Sequence, residues 1–511
     1  MNITKNIAQK PRRWEAIREL ISPLLIFTIL ALLAALFLGV VIGVFNPVYS
    51  VVVISTILMA IIIFLRLDEL TVALIVAAHI LVDAYLGFDV YQVALLMALI
   101  LLSICCFGRS ADHPWTGPRL IWLWVLFLIL NIYPTINGGT FGLTNAIASY
   151  LNLVLSAFIM FWLGNIIAKD FSAIRRVFQM LSVLAALIAI HTIIQATTGK
   201  FLFESAHAEA TLVKYLNFQA EGAAYVSRAG SFFGNPNGNG TFLATSFFLP
   251  LGLFIESKYL WAKIIYLLEV LLILLAVMYT YSTGSWVAIL VGIVIFMFLV
   301  GRIRYIVLLL VLMMMLAVTA FTVFPAQTAA QLSHANSQSH ISGHLGTVQT
   351  AALVIEAFPF FGVGLGDQAY LVRAEPYRVP TQTVPQAEPD NSYLQFGATA
   401  GIPVMLVFLL LLGYVFWLSW RNWRATDSSY RPLLSGGIVA LIALSINSLT
   451  VDGWTNPAGQ EYLGWLIAGI VASQLIGHYM TKQSASPVDK TAKIVHVEVE
   501  TTRMNTAMRS S

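Results

Sequence analysis

The sequence predicts an all-α fold: a polytopic bundle of about 14 transmembrane helices (12–14) with two long extracytoplasmic loops and both termini cytoplasmic. Three observations lead there. Of 511 residues, 59% are hydrophobic and 10% charged, against roughly 25% charged in an ordinary soluble domain. With a mean hydropathy of +0.83, this composition excludes a soluble enzyme and also the disordered and fibrous classes, which are poor in large apolar side chains. Apolar runs of membrane-crossing length recur along the chain, and the basic residues segregate between alternate connections.

A helix crosses the hydrocarbon core in about 20 mostly apolar residues, and it must satisfy its own backbone because lipid offers no hydrogen bonds. In chain order the expected spans are 24–45, 47–65, 70–85, 90–107, 120–133, 145–167, 177–195, 240–255, 264–280, 285–300, 305–324, 401–420, 433–450 and 462–480. Cytoplasmic connections collect Lys and Arg. On this count 23 of the 28 basic residues fall on one side, including Lys5, Arg66, Lys169, Arg175, Arg176, Lys258, Arg302, Arg421 and Lys482. The other side holds Lys200, Lys214, Arg228, Arg373 and Arg378, all in two long loops. The basic N-terminus precedes an apolar run with no small-residue cleavage site, so an uncleaved first span is expected.

The expected organisation is a cytoplasmic segment (1–23), an N-terminal bundle (24–196), extracytoplasmic loop 1 (197–239), further spans (240–324), extracytoplasmic loop 2 (325–400), the C-terminal spans (401–480) and a disordered cytoplasmic tail (481–511). Connections as long as the two loops are uncommon without a purpose, so function is sought there. Residues 347–358 form an apolar-rich stretch of about three turns ended by Pro359, too short to span and suited to lying on the membrane or capping the bundle.

The net charge of +4 calls for no nucleic-acid partner. Cys105 and Cys106 are sequence neighbours, a poor disulfide geometry and too few ligands for a metal cage. Gly362-x-Gly364-x-Gly366 lacks the Gly-Lys-Ser/Thr ending and the strand-to-helix setting of a phosphate loop, and reads as a tight turn. No HExxH, GxSxG or Cys-His metal spacing occurs.

The most informative stretch is Ser227–Gly238. It sets Arg228 among Gly230, Gly234, Asn235, Pro236 and Asn237 before a span, where a permanently charged fork and backbone N–H groups suit a phosphate or diphosphate; the alternative is a helix-end or lipid-headgroup anchor. In loop 2, His334, His340 and His344 punctuate a Ser/Gly-rich segment, and Asp390-Asn391-Ser392 precedes a span. Imidazole or carboxylate there can take a proton from an attacking hydroxyl; each alone is more often a solvated loop residue. Inside the bundle His79 and Asp83 are spaced to pair on one helical face, while His191 and Glu269 stand isolated. Ionisable groups in spans are functional candidates by default.

Three patches carry a family resemblance: Arg228 with Gly230-Ser231-Phe232-Phe233-Gly234-Asn235-Pro236-Asn237; Phe358-Pro359-Phe360-Phe361-Gly362-Val363-Gly364; and Asp390-Asn391 followed by Gly401-Ile402-Pro403. As a set they resemble the O-antigen ligase and O-antigen polymerase superfamily (Wzy/WaaL type), polytopic glycosyltransferases. The resemblance implies transfer of a glycan from a polyprenyl-pyrophosphate donor to a hydroxyl acceptor at the outer face of the cytoplasmic (inner) membrane, with no metal or nucleotide cofactor. It implies Arg228, Asn235 and Asn237 as substrate-binding residues, Asp390 as base with Asn391 orienting it, His344 as a supporting cation, and Arg373 and Arg378 as secondary cations on a mobile lid. Three positions depart from the family pattern: Asp390 stands where a histidine is usual, and His344 and Trp286 stand where arginines are. The alternatives are a transporter or flippase of lipid-linked glycans and a non-catalytic relative. Transporters tend to show internal repeats and midplane polar sites, whereas the polar material here lies in two external loops.

Overall fold

The computed structural model describes residues 68–86, 98–99, 120–200, 228–233, 235–301, 338–382, 385–386, 388–455 and 460–473, with isolated positions between 314 and 329. Every regular element among them is helical. The expected spans 24–45, 47–65, 90–107 and 305–324 lie outside the described residues or are touched only at isolated positions, as do His334, the side chains of His340 and Asp83, and most of loop 1.

The remaining ten expected spans each overlap helix, the last (462–480) being described only as far as residue 473. They are α1 (Asp68–Leu86), α2 (Ile121–Leu130) running into α3 (Ile132–Gly138), α4 (Leu143–Tyr150) joined by a π-helical turn (Leu151–Leu155) to α5 (Ser156–Ile167), and α6 (Phe171–Thr198). Next come α7 (Pro236–Ser246) with α8 (Phe248–Glu256), α9 (Leu260–Thr280), α10 (Thr283–Val300), α14 (Ile402–Ala425), α15 (Arg431–Asn447) and α16 (Gln460–Val471). Seven helical stretches among the described residues are long and apolar enough to cross a membrane. Local chemistry sets the ends: Asp170 caps α6 by accepting from the Ala173 N–H, and Gly199 closes it in the left-handed conformation. Pro250 cannot donate to Ser246, and the 236–256 stretch is interrupted at Phe247 between α7 and α8.

The fifth span outruns its expected end at residue 133. Helix continues through Gly138 and a 3-10 turn to Phe141, and the break comes at Gly142, with φ of 146°. Gly138 and Gly139 are therefore helical: helical φ/ψ is open to glycine, and Gly138 is needed for close approach, since a Cβ there would lie 1.8 Å from the Leu365 carbonyl oxygen.

The centre of the bundle is α7–α8 and α15, buried on nearly every side, as expected of helices surrounded by other helices. Their backbones meet at Gly252 and Gly436, where a Cβ on Gly252 would stand 3.2 Å from the Gly436 Cα. In lipid, association rests on such close van der Waals packing between small residues. Around them lie α9 with α6, and α10 against α15, while α16 packs along α5.

One end of the bundle is laced by ion pairs: Lys169 to Asp68 at 2.8 Å, Arg176 to Glu69 at 2.7 Å, and Arg175 to Glu256. The polar network of Ser231 meets the opposite end of α6 at Gln195. Arg175 and Gln195 are separated along α6 by about 30 Å, one hydrocarbon thickness.

Loop 2 holds α11 (Gln338–Ala357), α12 (Asp367–Ala374) and α13 (Ser392–Ala400). The expected short helix at 347–358 thus begins earlier, at Gln338, and ends before Pro359 as its chemistry dictates. Val354, Val363, Tyr370, Ala374 and Ala398 form a small core of their own, with Ile355, Phe358 and Tyr377 packed against it. Below α13 a column of rings joins it to the bundle: Phe127 to Phe396 at 5.2 Å, Phe396 to Phe408 at 4.8 Å, and Trp454 to Trp465 at 4.8 Å.

Candidate functional site

Gly362, Gly364 and Gly366, read from sequence as a tight turn, follow the turn at 359–361 as a bent strap, all at positive φ. The Val363 and Gly364 N–H groups donate to the Ala398 and Thr399 carbonyls at 2.9 Å, and Leu365 N–H donates to Pro134 O at 2.9 Å. A Cβ on Gly364 would lie 2.6 Å from the Gly138 nitrogen. The strap therefore stitches α13 to α3 through backbone contacts that only glycine permits.

Arg228 lies at the mouth of α7. Its Nε donates to Thr280 O at 3.0 Å, and one terminal nitrogen donates to Asn237 Oδ1 at 2.6 Å and faces Tyr281 O at 3.4 Å. The carbonyls belong to the C-terminal end of α9, where the helix dipole favours a cation. Asn235 caps α7, accepting from the Asn237 N–H at 2.9 Å, and Pro236 takes the first helical position, where its missing N–H costs nothing. The turn between Arg228 and α7 is held from α6: Ser231 N–H donates to Gln195 Oε1 at 2.7 Å, His191 Nδ1 meets Ser231 Oγ at 2.8 Å, and the His191 ring stacks on Phe232 at 3.9 Å. Ser231 sits at φ 49°, a conformation that survives only where neighbours over-determine it. His191, isolated in the sequence, is thus part of the frame of the Arg228 patch. Glu269, the other residue read as isolated, accepts from Ser182.

Asp390 and Asn391 form the second patch. Asn391 caps α13, its Oδ1 accepting from the Tyr393 and Leu394 N–H groups at 3.0 Å, while its Nδ2 donates to Leu449 O at 2.9 Å. Asp390 Oδ2 accepts from Gln386 Nε2 at 2.9 Å and lies 3.9 Å from His344 Nδ1 on α11. Burial pushes the Asp390 carboxyl above the usual range and Asp452 adds to this, while the Gln386 bond and His344 oppose it. Two residues earlier, Glu388 accepts from Gln395 and is pushed well up by burial and by Asp452, Asp367 and Asp390. Burial also raises Asp367 and, with Asp390 and Glu388, the Tyr370 hydroxyl. Each of these carboxylates disfavours ionisation of its acidic neighbours. Sequence reasoning missed Asp367, Glu388, Tyr370 and Asp452; only Glu388 announces itself, by standing two residues before Asp390.

The two patches border the same segment, residues 447–455. Ser282 N–H donates to Thr280 Oγ1 at 3.3 Å, Ser285 Oγ donates to Ser282 Oγ at 2.9 Å and faces Asn447 Oδ1 at 3.4 Å. From the other patch, Ser392 N–H donates to Ser448 O at 3.1 Å, and Trp454 N–H donates to Ser392 Oγ at 3.0 Å. Trp286 lies in the first turn of α10 beside this relay.

Arg373 and Arg378 are tied to other partners. Arg373 donates to Asn137 Oδ1 at 2.9 Å and to Val363 O at 2.7 Å, with its guanidinium 4.7 Å from the Phe141 ring centre. It ties the strap to α3. Arg378 pairs with Glu375 at 2.6 Å and donates to Gln382 O at 2.9 Å.

Fold and site together define a multi-pass helical membrane protein in which the Arg228 and Asp390 patches border the same connection, residues 447–455. Residues 268–409, from α9 into α14, match the family model described as O-Antigen ligase (Wzy_C). The match supports the resemblance to O-antigen ligases and polymerases, and with it a glycosyltransferase-like activity and lipid-linked glycan substrates as a class. It takes in His344, Arg373, Arg378, Asp390 and Asn391, while Arg228, Asn235 and Asn237 precede it. A comparison with curated proteins finds no match.

Proposed function

We propose that this protein transfers a glycan from a polyprenyl-diphosphate carrier to a hydroxyl acceptor at the outer face of the cytoplasmic membrane. The observation that carries the reading is the shared 447–455 segment, which Ser285 reaches from the Arg228 side and Asn391 and Ser392 reach from the Asp390 side. Displacement at an anomeric carbon needs a cation where the leaving group gains charge and a base for the incoming hydroxyl, and this arrangement offers one of each at the same end of the bundle.

In the reaction the acceptor oxygen forms a bond to the anomeric carbon, its proton passes to the Asp390 carboxylate, and the bond from that carbon to the diphosphate oxygen breaks. The leaving diphosphate keeps the electron pair and meets Arg228, which Asn237 and the Asn235 cap of α7 hold in place. Asn391 fixes the backbone that carries Asp390, and His344 supplies positive charge beside it when protonated. Arg373 and Arg378 would reach substrate only by leaving Asn137 and Glu375, which places them behind Arg228. The two long loops are the extracytoplasmic ones, and the basic end of the bundle faces the cytoplasm.

Purified protein incubated with a defined polyprenyl-diphosphate oligosaccharide tests the reading. Release of polyprenyl diphosphate with a lengthened or transferred glycan supports it; Arg228→Ala should abolish transfer while the protein still inserts and folds. Movement of the donor across a vesicle without bond cleavage would mean a transporter, and neither outcome a non-catalytic relative.

A further inference from the structure

Loop 2 contains a run that aqueous surroundings do not suit. From Ala357 to Gly366 no side chain is polar, and the nearest charges along the chain, Glu356 and Asp367, flank it. In its middle, in the turn that follows α11, Phe360 and Phe361 are 71% and 56% exposed. Large apolar side chains displayed together mark a surface that apolar matter covers.

The turn is held firmly. Pro359 O accepts from Ile402 N–H at 2.7 Å, and Gly362 N–H donates to Phe358 O at 3.1 Å. The Phe360 carbonyl comes so close to Gly401 that a Cβ there would stand 2.4 Å from its oxygen. Together with the bonds of the glycine strap, these contacts present both rings from a fixed backbone. They also pair peptide groups around the turn within the protein, the condition under which non-helical backbone is tolerated at membrane depth.

What covers the rings follows from their neighbours. Phe361 packs on Tyr133 with ring centres 4.6 Å apart. Tyr133 belongs to the apolar stretch 121–141, and with Trp122, Leu126, Ile129 and Ile136 it forms one exposed stripe at helical spacing. At 1.5 Å per residue Tyr133 stands about 18 Å along this stretch from Ile121, inside a hydrocarbon core about 30 Å thick. Exposed apolar side chains continue past it at Ile136 and, on α4, at Leu143 and Ile147, so the lipid-facing surface does not end at Tyr133. On its other side the turn abuts the head of α14, where Leu406 and Leu410 are exposed as well.

We propose that the 359–361 turn dips into the bilayer, where Phe360 and Phe361 extend the lipid-facing stripe of the fifth span as a membrane wedge of loop 2. The matter that covers them is the acyl-chain hydrocarbon of ordinary phospholipid. The wedge fixes the height of the glycine strap and of α13 in the membrane, and with α13 that of Asn391, its cap.

Full-length protein in vesicles of phosphatidylcholine and phosphatidylglycerol, free of polyprenyl lipid, tests the wedge. Nitroxide labels at Phe360→Cys, at Leu410→Cys on α14 and at the exposed Thr381→Cys, each in a Cys105→Ser, Cys106→Ser background, report collisions with two reagents. Oxygen concentrates in hydrocarbon and a nickel chelate in water. The oxygen-to-nickel collision ratio at 360 should match that at 410 and exceed that at 381 several-fold. A ratio at 360 equal to that at 381 puts the turn in water and overturns the proposal, as does shielding from both reagents, which a second copy or another protein would give. Wild-type protein carries the test should a variant fail to fold: a carbene generated from a lipid-borne diazirine should insert into residues 357–366 as well as into α14, and labelling of α14 alone overturns the proposal. Labelling of 357–366 that appears only once polyprenyl diphosphate is added overturns it too, by giving the rings to the donor's tail. The readout is depth, so it stands apart from the outcome for glycan transfer.

Discussion

His344 Nδ1 faces Asp390 Oδ2 across 3.9 Å, joining α11 to the residue that precedes the α13 cap. An opposite charge at that range favours the ionised carboxylate, and the like charge of Asp452 disfavours it. The acid limb of the transfer rate should accordingly respond with opposite signs: His344→Gln should move it to higher pH and Asp452→Asn to lower pH. Rate profiles of both variants, measured on one substrate, check the pair; movement in the same direction would remove Asp390 as the base.

Glu388 should make stability fall as pH rises. Its carboxyl is raised in the fold from an ordinary 4.5, so above that value the unfolded chain releases a proton that the folded chain still holds. The unfolded state then binds fewer protons, and stability declines from about pH 5 upward until the folded group ionises as well. Glu388→Gln should flatten this decline, read as the unfolding midpoint across a pH series.

The guanidinium fork of Arg228 reaches Thr280 O and Asn237 from different nitrogens, a geometry that one ammonium cannot reproduce. Arg228→Lys should therefore recover little of the transfer lost in Arg228→Ala, with a deficit of about 100-fold or more in kcat, the usual scale for removing a group that stabilises developing charge. Asn237→Ala should weaken donor binding more than turnover. Steady-state kinetics on the lipid-linked donor separate the two effects.

Gly364→Ala should destabilise the cap. At φ 105° a side chain is strained, and its Cβ would press on Gly138. The strain is of order 1–3 kcal/mol before the clash is counted. Hydrogen exchange should rise over residues 362–374 and stay unchanged in α15; Arg373→Ala, which releases the same strap from Asn137, should give a milder version of that pattern.

Asn391→Ala removes the acceptor for two α13 N–H groups and the tether to Leu449. Loss of such a cap costs about 1 kcal/mol. A lower unfolding midpoint together with reduced transfer is expected, and Asn391→Asp, which keeps the cap but not the amide donor, should restore the midpoint more than the transfer.

Span positions were legible because they rest on local chemistry. Apolar length, Asp170 before α6, Pro236 at the head of α7 and Pro359 after α11 act within a few residues, and any lipid-embedded chain must obey them. The end of the fifth span escaped because two adjacent glycines are poor helix formers, and the close approach of the Leu365 backbone to Gly138 is not visible in the sequence. Arg228, Asp390 and Asn391 could be singled out as residue types in a setting.

Their partners could not. Thr280, Tyr281, Leu449 and Asp452 come from connections far along the chain, and hydropathy carries no information about which helix ends meet. By itself, the order of residues determined a helical membrane protein, its sidedness expectation and the polar patches, since burial of apolar surface and backbone satisfaction depend on composition and period. Tertiary structure alone decided that His191 braces Ser231, that the glycine strap is stitched to α3, that Arg373 is a clamp, and that Glu461 meets Ser156 inside the bundle. Such contacts arise from long-range packing, in which a hydrogen bond or an uncompensated carboxyl acquires its energy from whatever neighbour the fold delivers.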